Sequence, residues 1–406
     1  MQSTGRDGQP RMGWLAWPAM TAAYASRPDR SRGRLHPEPE SGMRSPFQRD
    51  RDRIVHSSAF RKLQYKTQVF IYHEGDYYRT RLTHTLEVAQ IARTICRALG
   101  LDEDLGEAVA LAHDLGHTPF GHAGEDALHT AMAGHGGFHH NDQTLRILTA
   151  LEQRYADFDG LNLSWEALEG VVKHNGPLLP LLPGAVLPTT IDGFRAVWDL
   201  DLGSQPGPEA QVAALADDIA YTNHDIDDAL RAGLLDVDAL RPLPLVGPVL
   251  AEVEGRHPGL PRRRLIHETV RRVIDQMVTD LLAESRRRLA ALGPASAEAV
   301  RAAPEAVIAF SDAVAADLQV LRGFMFREVY RHYLVNRETS KARRVVRDLF
   351  ALFMAEPNTL PTDWRRQAET AGAIGQARVV ADYIAGMTDR FALLEHQRLF
   401  ALDRPV

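Results

Sequence analysis

The chain has 406 residues, 45% apolar and 25% charged, so it can bury a large core and reads as an ordinary globular protein. Its formal net charge of −6 argues against a general nucleic-acid-binding protein, although local basic patches stay open. The one cysteine, Cys96, excludes an intramolecular disulfide and a zinc-thiolate site, points to a reducing compartment, and leaves nitrogen and oxygen to hold any metal.

Residues 1–45 are rich in Gly, Pro, Arg and Ser and lack periodicity, which predicts an arm that is flexible over at least its first ten residues. Within it, "GWLAWPAMTAAYA" (13–25) ends in the Ala-x-Ala pattern of a signal peptide. Its apolar run is short and broken by Pro18, and the arginine-rich stretch behind it suits export poorly. "KTQVFIY", a turn at residues 73–76 and "YYRTRL" predict a small β-hairpin. Nearly everything after it predicts helix. Residues 84–99 carry Leu86, Ala89, Ile95 and Leu99 on one stripe and stop at Gly100. Asp102 caps the next helix, which runs through Val109 and Ala112, and Ser164 caps a short one leading to "VVKHNGP". "PLLPLLPGAVLP" (177–188) is too broken by proline to span a membrane.

A helix over about 209–232 contains "LADDIAYTNHDIDD" and ends at Gly233. Residues 262–292 place Leu265, Ile266, Val270, Val273, Met277, Leu281 and Leu282 at helical spacing, and further helical patterns lie near 304–334, 339–354 and 376–400. No repeat or long linker interrupts the chain. The expectation is an all-α fold in the cytoplasm: an arm (1–45), a helical core (46–235) and a helical C-terminal region packed on that core (236–406).

The chemistry concentrates in "HDLGHTPFGHAGE" (113–125). Seven of the 17 histidines fall between His113 and His140, where an even spread would put about one. Adjacent His113 and Asp114 leave a helix about 100° apart and can converge on one ion at its end. A hard or borderline cation takes imidazole and carboxylate and needs more than two protein ligands. His84 begins the preceding helix, and in an antiparallel pair that start lies beside the end carrying His113. The fourth ligand is expected from a facing helix, with Asp217 in "LADDIAY" the leading candidate. Such a site suits manganese or magnesium, with iron, zinc, nickel or cobalt also open.

These residues follow the pattern of the HD-domain metal-dependent phosphohydrolases, and the flanking segments resemble one branch of them, the deoxynucleoside triphosphate triphosphohydrolases or dGTPase-like proteins. The matching stretches are "SRGRLHPEPES", "RSPFQRDRDRIVHSSAFRKLQYKTQVF", "HEGDYYRTRLTHTLEVAQIAR", "HDLGHTPFGHAGE", "KHNGP", "LADDIAYTNHDIDDALRAGLL" and "DYIAGMTDRFAL", from about residue 31 to 394. The resemblance implies an HD phosphohydrolase core over 46–235 and hydrolysis of a dNTP to deoxynucleoside and inorganic tripolyphosphate. His122 and Glu125 stand one helical turn apart, which suits an imidazole oriented by a carboxylate. The resemblance assigns that pair to catalysis, puts His117 on the phosphates, and matches His140 to another active-site histidine. Relatives usually carry an acidic residue where this chain has His139 and often Ala where it has Asp142. If that acidic group orients His140, its loss weakens or retunes catalysis.

Asp217, Tyr221 and Asp225 recur at i, i+4 and i+8 and so share one helical face. By resemblance Tyr221 packs on the sugar, Asp225 and Gln68 take the 3′ hydroxyl, and Val69 closes the space of a ribose 2′ hydroxyl. Burying that hydroxyl unpartnered costs roughly 1–3 kcal/mol. Arg81 matches a phosphate-binding arginine, Lys173 is expected as a second cation, and Arg53 or Arg61 as a helper. No "GxxxxGK[ST]" phosphate loop occurs. Arginine clusters at 262–264, 286–288 and 337–347 read as solvated helix faces, with an allosteric nucleotide or single-stranded DNA site as the sharper alternative. The resemblance also implies a homo-oligomer, dimer-based or hexameric. Two other readings stay open: an HD phosphohydrolase of another nucleotide, and a non-catalytic nucleotide or single-stranded DNA sensor.

Overall fold

The computed structural model describes residues 21–68 and 79–401. Among them the regular structure is helical, and strand pairing is confined to three isolated bridges, Arg34 with Ser164, Thr67 with Thr80 and Gln153 with Gly160. The body of the expected hairpin lies outside the described residues; Thr67 and Thr80 are its flanks. No described helix is long and apolar enough to cross a membrane.

Helix α1 (Pro46–Val55) starts in a capping box in which Ser45 and Gln48 each satisfy the other's backbone N–H. Helices α2 (Arg81–Leu99) and α3 (Glu103–Ala112) form a tight hairpin. Gly100 ends α2 at φ +71°, a left-handed conformation in which glycine has no Cβ to clash, and the Leu101 N–H closes the motif on the Cys96 carbonyl at 2.9 Å. Asp102 then caps α3 by accepting the Leu105 N–H at 2.9 Å. Three residues of turn leave little freedom in how the helices return on one another, so the start of α2 comes to the end of α3.

Helix α4 (Gly121–Ala131) follows a short loop, and α5 (His140–Arg146) runs into a π-helical turn at Ile147–Leu151 that the sequence pattern did not suggest. Ser164 caps α6 (Trp165–Lys173) as expected. Helix α7 (Pro208–Arg231) packs across both α2 and α3. Helix α8 (Arg262–Leu292) matches its expected span, and burial falls on Thr269, Val273, Met277, Leu281, Ser285 and Leu289, one residue per turn. The 304–334 pattern resolves into a shorter α9 (Asp312–Met325), started by the Ser311 cap and followed by a π turn, Phe326–Tyr330. Beyond lie α10 (Tyr333–Ala355), α11 (Thr362–Ala385), kinked at Gly372, and α12 (Asp389–Phe400).

The buried apolar side chains form two clusters. One gathers residues from Ala25 to Val329, including the inner faces of α2, α3, α7 and α8. The other joins Phe120, Ala123, Leu128, Met132 and Phe138 to α10, α11 and α12. The arm from residue 21 onward is not loose. Ala22 donates to the Gly100 carbonyl (2.8 Å), Ser26 to Glu209 (2.9 Å), and Arg34 pairs with buried Asp50.

Buried Glu209 also accepts the Asp102 N–H at 3.2 Å, which brings two carboxylates together at the head of α3. Burial chiefly, with Glu209 adding, pushes the Asp102 carboxyl up to about 7. A carboxyl raised on folding contributes stability fully present below its unfolded pKa, near 4, and lost as pH rises through 7. Asp102→Asn keeps the cap without the charge. It is expected to unfold like the wild type at pH 4 but to be at least about 1 kcal/mol more stable at pH 8, measured by urea denaturation across that range.

Candidate metal centre and active site

The α2–α3 hairpin brings His84 and His113 together, with ring centroids 5.9 Å apart, and α7 adds Asp217 from across the bundle. His84 Nε2 lies 2.9 Å from Asp217 Oδ1 and 4.0 Å from Asp114 Oδ2; His113 Nε2 lies 3.7 Å and 3.4 Å from the same two oxygens. An ion bound at about 2.1 Å holds neighbouring ligand atoms roughly 3.0–3.4 Å apart. His84 Nε2, His113 Nε2 and Asp217 Oδ1 therefore need little movement to close on a cation, with Asp114 Oδ2 beside the two imidazoles.

Two further observations fit that group. His113 Nδ1–H donates to the Ala110 carbonyl at 2.6 Å, which fixes the tautomer and leaves Nε2, buried and without a hydrogen-bond partner, as a lone-pair donor. Burial pulls the His113 pKa down, but Asp114 and Asp217 more than offset it and raise it to about 9. The carboxylates thus favour added positive charge at this point, which a divalent ion would supply with the imidazoles neutral.

Asp114 links this centre to its neighbours. Arg81 donates to Oδ2 at 2.8 Å, and His117 Nε2 lies 3.2 Å from Oδ1. Burial opposes its charge, yet His113, Arg81 and His117 hold its pKa well below the usual carboxylate range. His117 is kept neutral by burial first and then by Arg81 and His140. Its ring stacks on His140 at 4.1 Å and meets His122 edge-on at 5.0 Å.

Glu125 orients two imidazoles at once. His122 Nδ1 donates to one oxygen (3.0 Å), while His140 Nδ1 and the His140 backbone N–H donate to the other, both at 2.8 Å. These bonds overcome burial and hold the carboxyl far below its ordinary range. His122 is the exposed partner, its side chain 69% accessible, while His140 is largely covered. In this chain Glu125, and not residue 139, orients His140. Exposed His139 caps α5 through Asn141 and stacks on His140, and buried Asp142 accepts the N–H groups of Thr190 and Ile191.

The loop between the two histidine sets is strained at Phe120, whose φ of +65° costs a bulky residue roughly 1–2 kcal/mol. Phe120 directly precedes α4, the helix that carries His122 and Glu125.

These groups line one open cavity of about 530 Å³ together with Gln68, Arg81 and Tyr221. Buried Gln68 Oε1 and Arg81 Nε have no protein partner there. Asp225 sits behind Tyr221, accepts the Tyr330 hydroxyl, and is pushed up to about 8, by burial foremost. Val69 lies outside the described residues.

Two expected phosphate cations are not brought to the cavity. The Lys173 ammonium is fully buried elsewhere, against Glu169 (2.9 Å) and the carbonyls of Asp201, Ser204 and Gln205. Arg53 is spent on Glu38 and on the carbonyls of Leu161 and Asn162. Both were placed by motif, and a motif does not show where a long side chain ends.

His174, next to Lys173, lines the cavity instead, its pKa drawn down to about 4 by burial and by His113. Tyr330, Arg331 and Arg343 enter from the C-terminal region. Arg343 belongs to a cluster that reads in sequence as a solvated helix face. Only the turn of α10 relative to α4 separates it from its exposed neighbours.

Two family models match the chain: the HD domain over residues 81–222, which holds every one of the four candidate ligands, and the phosphohydrolase-associated domain over 308–398. Full-length relatives are as informative. A protein of Parvibaculum lavamentivorans named deoxyguanosinetriphosphate triphosphohydrolase-like is 59% identical over 394 residues, covering 96% of this chain and 99% of its own. The chain belongs to this HD-domain family. Proteins of the same name from Caulobacter vibrioides (56% over 382 residues, 94% and 97% covered) and Azorhizobium caulinodans (57% over 398, 97% of each) agree. As an HD-domain hydrolase, the chain carries two histidine and carboxylate groups that could hold a metal ion, His84, His113 and Asp217 in one and His117, His122, Glu125 and His140 in the other.

His113→Ala removes one donor while leaving the hairpin intact. Its affinity for Mn²⁺, measured by calorimetry on chelator-stripped protein, is expected to fall by about 100-fold or more.

Proposed function

We propose that the chain hydrolyses deoxynucleoside triphosphates, dGTP or several dNTPs, to deoxynucleoside and inorganic tripolyphosphate. The observation that carries this reading is the meeting, in one cavity, of the His84–His113–Asp114–Asp217 group with the Glu125-oriented pair His122 and His140. Names of relatives 55–59% identical over nearly the whole chain support the substrate class.

A Mn²⁺ or Mg²⁺ ion held by those four side chains would supply positive charge at an α-phosphate oxygen. Water adds to the α-phosphorus, the bond from it to the 5′ oxygen breaks, and His122, held by Glu125 at Nδ1, delivers a proton from Nε2 to the departing oxygen, while the proton that the water gives up returns to His122 through solvent. Neutral His117 and the unpaired Nε of Arg81 face the phosphates, and Arg343 stands where a longer polyphosphate reaches the cavity mouth. Tyr221 supports the deoxyribose, Gln68 and Asp225 accept at the 3′ hydroxyl, and Val69 excludes a 2′ hydroxyl.

In this reading residues 46–235 form the phosphohydrolase core and residues 236–406 complete the nucleotide pocket and the contacts of a cytoplasmic homo-oligomer. A regulatory nucleotide or single-stranded DNA is a further partner.

Chelated protein resupplied with Mn²⁺ or Mg²⁺ is to be assayed against each dNTP, dNTP mixtures and GTP, with both products identified. Deoxynucleoside and intact tripolyphosphate are expected. Pyrophosphate or single phosphate would move the chain to another HD activity, and binding without turnover to a sensor. Glu125→Gln disrupts the orientation of both imidazoles and is expected to lower kcat by about 100-fold or more while Mn²⁺ affinity changes little.

A further inference from the structure

We propose that Asp389, in the C-terminal region, is a positioning residue for the catalytic face formed by His117, His122, Glu125 and His140. The inference rests on the functional reading above and adds to it a cause for the geometry of that face. Asp389 is buried, 4% exposed, and its two oxygens are divided between two pieces of the site. One accepts the Phe120 N–H at 2.8 Å; the other accepts the Thr67 N–H at 2.9 Å and the Thr67 hydroxyl. Thr67 is followed by Gln68 of the cavity wall, and Phe120 by the helix bearing His122 and Glu125.

Phe120 holds a left-handed backbone that an aromatic residue adopts only when its surroundings impose it. No side chain caps α4 from this position, so the Asp389 bond fixes the Phe120 N–H while the ring is buried against α10–α12. If Phe120 relaxed to a right-handed φ, α4 would leave the loop in another direction and carry Glu125 away from His140. The loop packs closely on α4: at Gly124 even a Cβ would stand 2.0 Å from the Pro119 carbonyl.

The same C-terminal segment grips the site at two more points. The Lys66 ammonium donates to the carbonyls of His117 and Ala385. Asp382 takes Gln143 (3.0 Å) and Arg146 (2.7 Å) of α5, the helix that begins with His140. Apart from Lys66 to His117, each bond joins the segment matched as HD domain, or the residues just before it, to the one matched as phosphohydrolase-associated domain.

The test uses the full chain with Asp389→Ala, Asp389→Asn and Asp389→Ala combined with Phe120→Gly. Mn²⁺ affinity is expected to stay within about threefold of wild type, since the proposed ligands lie on α2 and α7 and directly after α3 and none bonds Asp389, while kcat for dNTP hydrolysis falls about 30-fold in Asp389→Ala, by more than KM rises. Asp389→Asn keeps an oxygen for Phe120 and is expected to lose less. Phe120→Gly, free to adopt a positive φ, is expected to return kcat about fivefold in the Ala background. The ring ¹⁵N resonances of His140 should shift in Asp389→Ala as its bond to Glu125 is lost. Unchanged kcat and unchanged His140 resonances would overturn the proposal, as would a loss of kcat that tracks Mn²⁺ affinity and is not recovered by Phe120→Gly. Were the wild type itself inactive on every nucleotide, the functional reading would fail, and the His140 resonances would still decide for or against positioning by Asp389.

Discussion

Two carboxylates, Asp114 and Asp217, face two imidazoles at the wall of the cavity, and much of the surrounding architecture is organised by that concentration of charge. Buried acids repel one another and lose hydration, so each needs a cation or a donor within reach. Asp114 has Arg81 at 2.8 Å and His117 at 3.2 Å; Asp217 has His84 at 2.9 Å. A divalent ion completes the balance more economically than protons on histidine do. Helices α2, α3 and α7 supply the donors from three directions, and the three-residue turn at Gly100 sets the register of the first two.

Beside this centre a third carboxylate does different work. Glu125 faces imidazole on both oxygens, and so orients two rings at once. The two histidines it holds differ in exposure, which separates a group free to exchange protons with a ligand from one packed against His117. Such a division follows from geometry alone, since both imidazoles hang from one side chain and only their cover differs.

The metal group was legible in sequence because its determinants are local or helical. A His-Asp pair at a helix end, a histidine at the head of the preceding helix and an aspartate in an apolar stripe are readable from spacing and capping. The same holds for His122 and Glu125, one turn apart. What escaped were contacts between distant elements. Lys173 sits beside His174, yet a helix end turns one inward to Glu169 and the other toward the cavity. Tyr330 follows a π turn whose irregular winding leaves no periodic trace, and Arg343 is one arginine among several on α10. The helix ends of α2 and α7 were readable through Gly100 and Gly233. The start of α9 was not, because its helical pattern extends upstream of the Ser311 cap that begins it.

The loop from Leu115 to Phe120 begins in one buried cluster and ends in the other. Its backbone therefore registers the separation of two bodies, each of which can keep its own helices while the seam between them opens. Opening a seam exposes less apolar surface than unfolding either body and so takes less free energy. On warming, the histidine face would lose its alignment while the helices remain, and catalytic competence would report on the seam rather than on the fold.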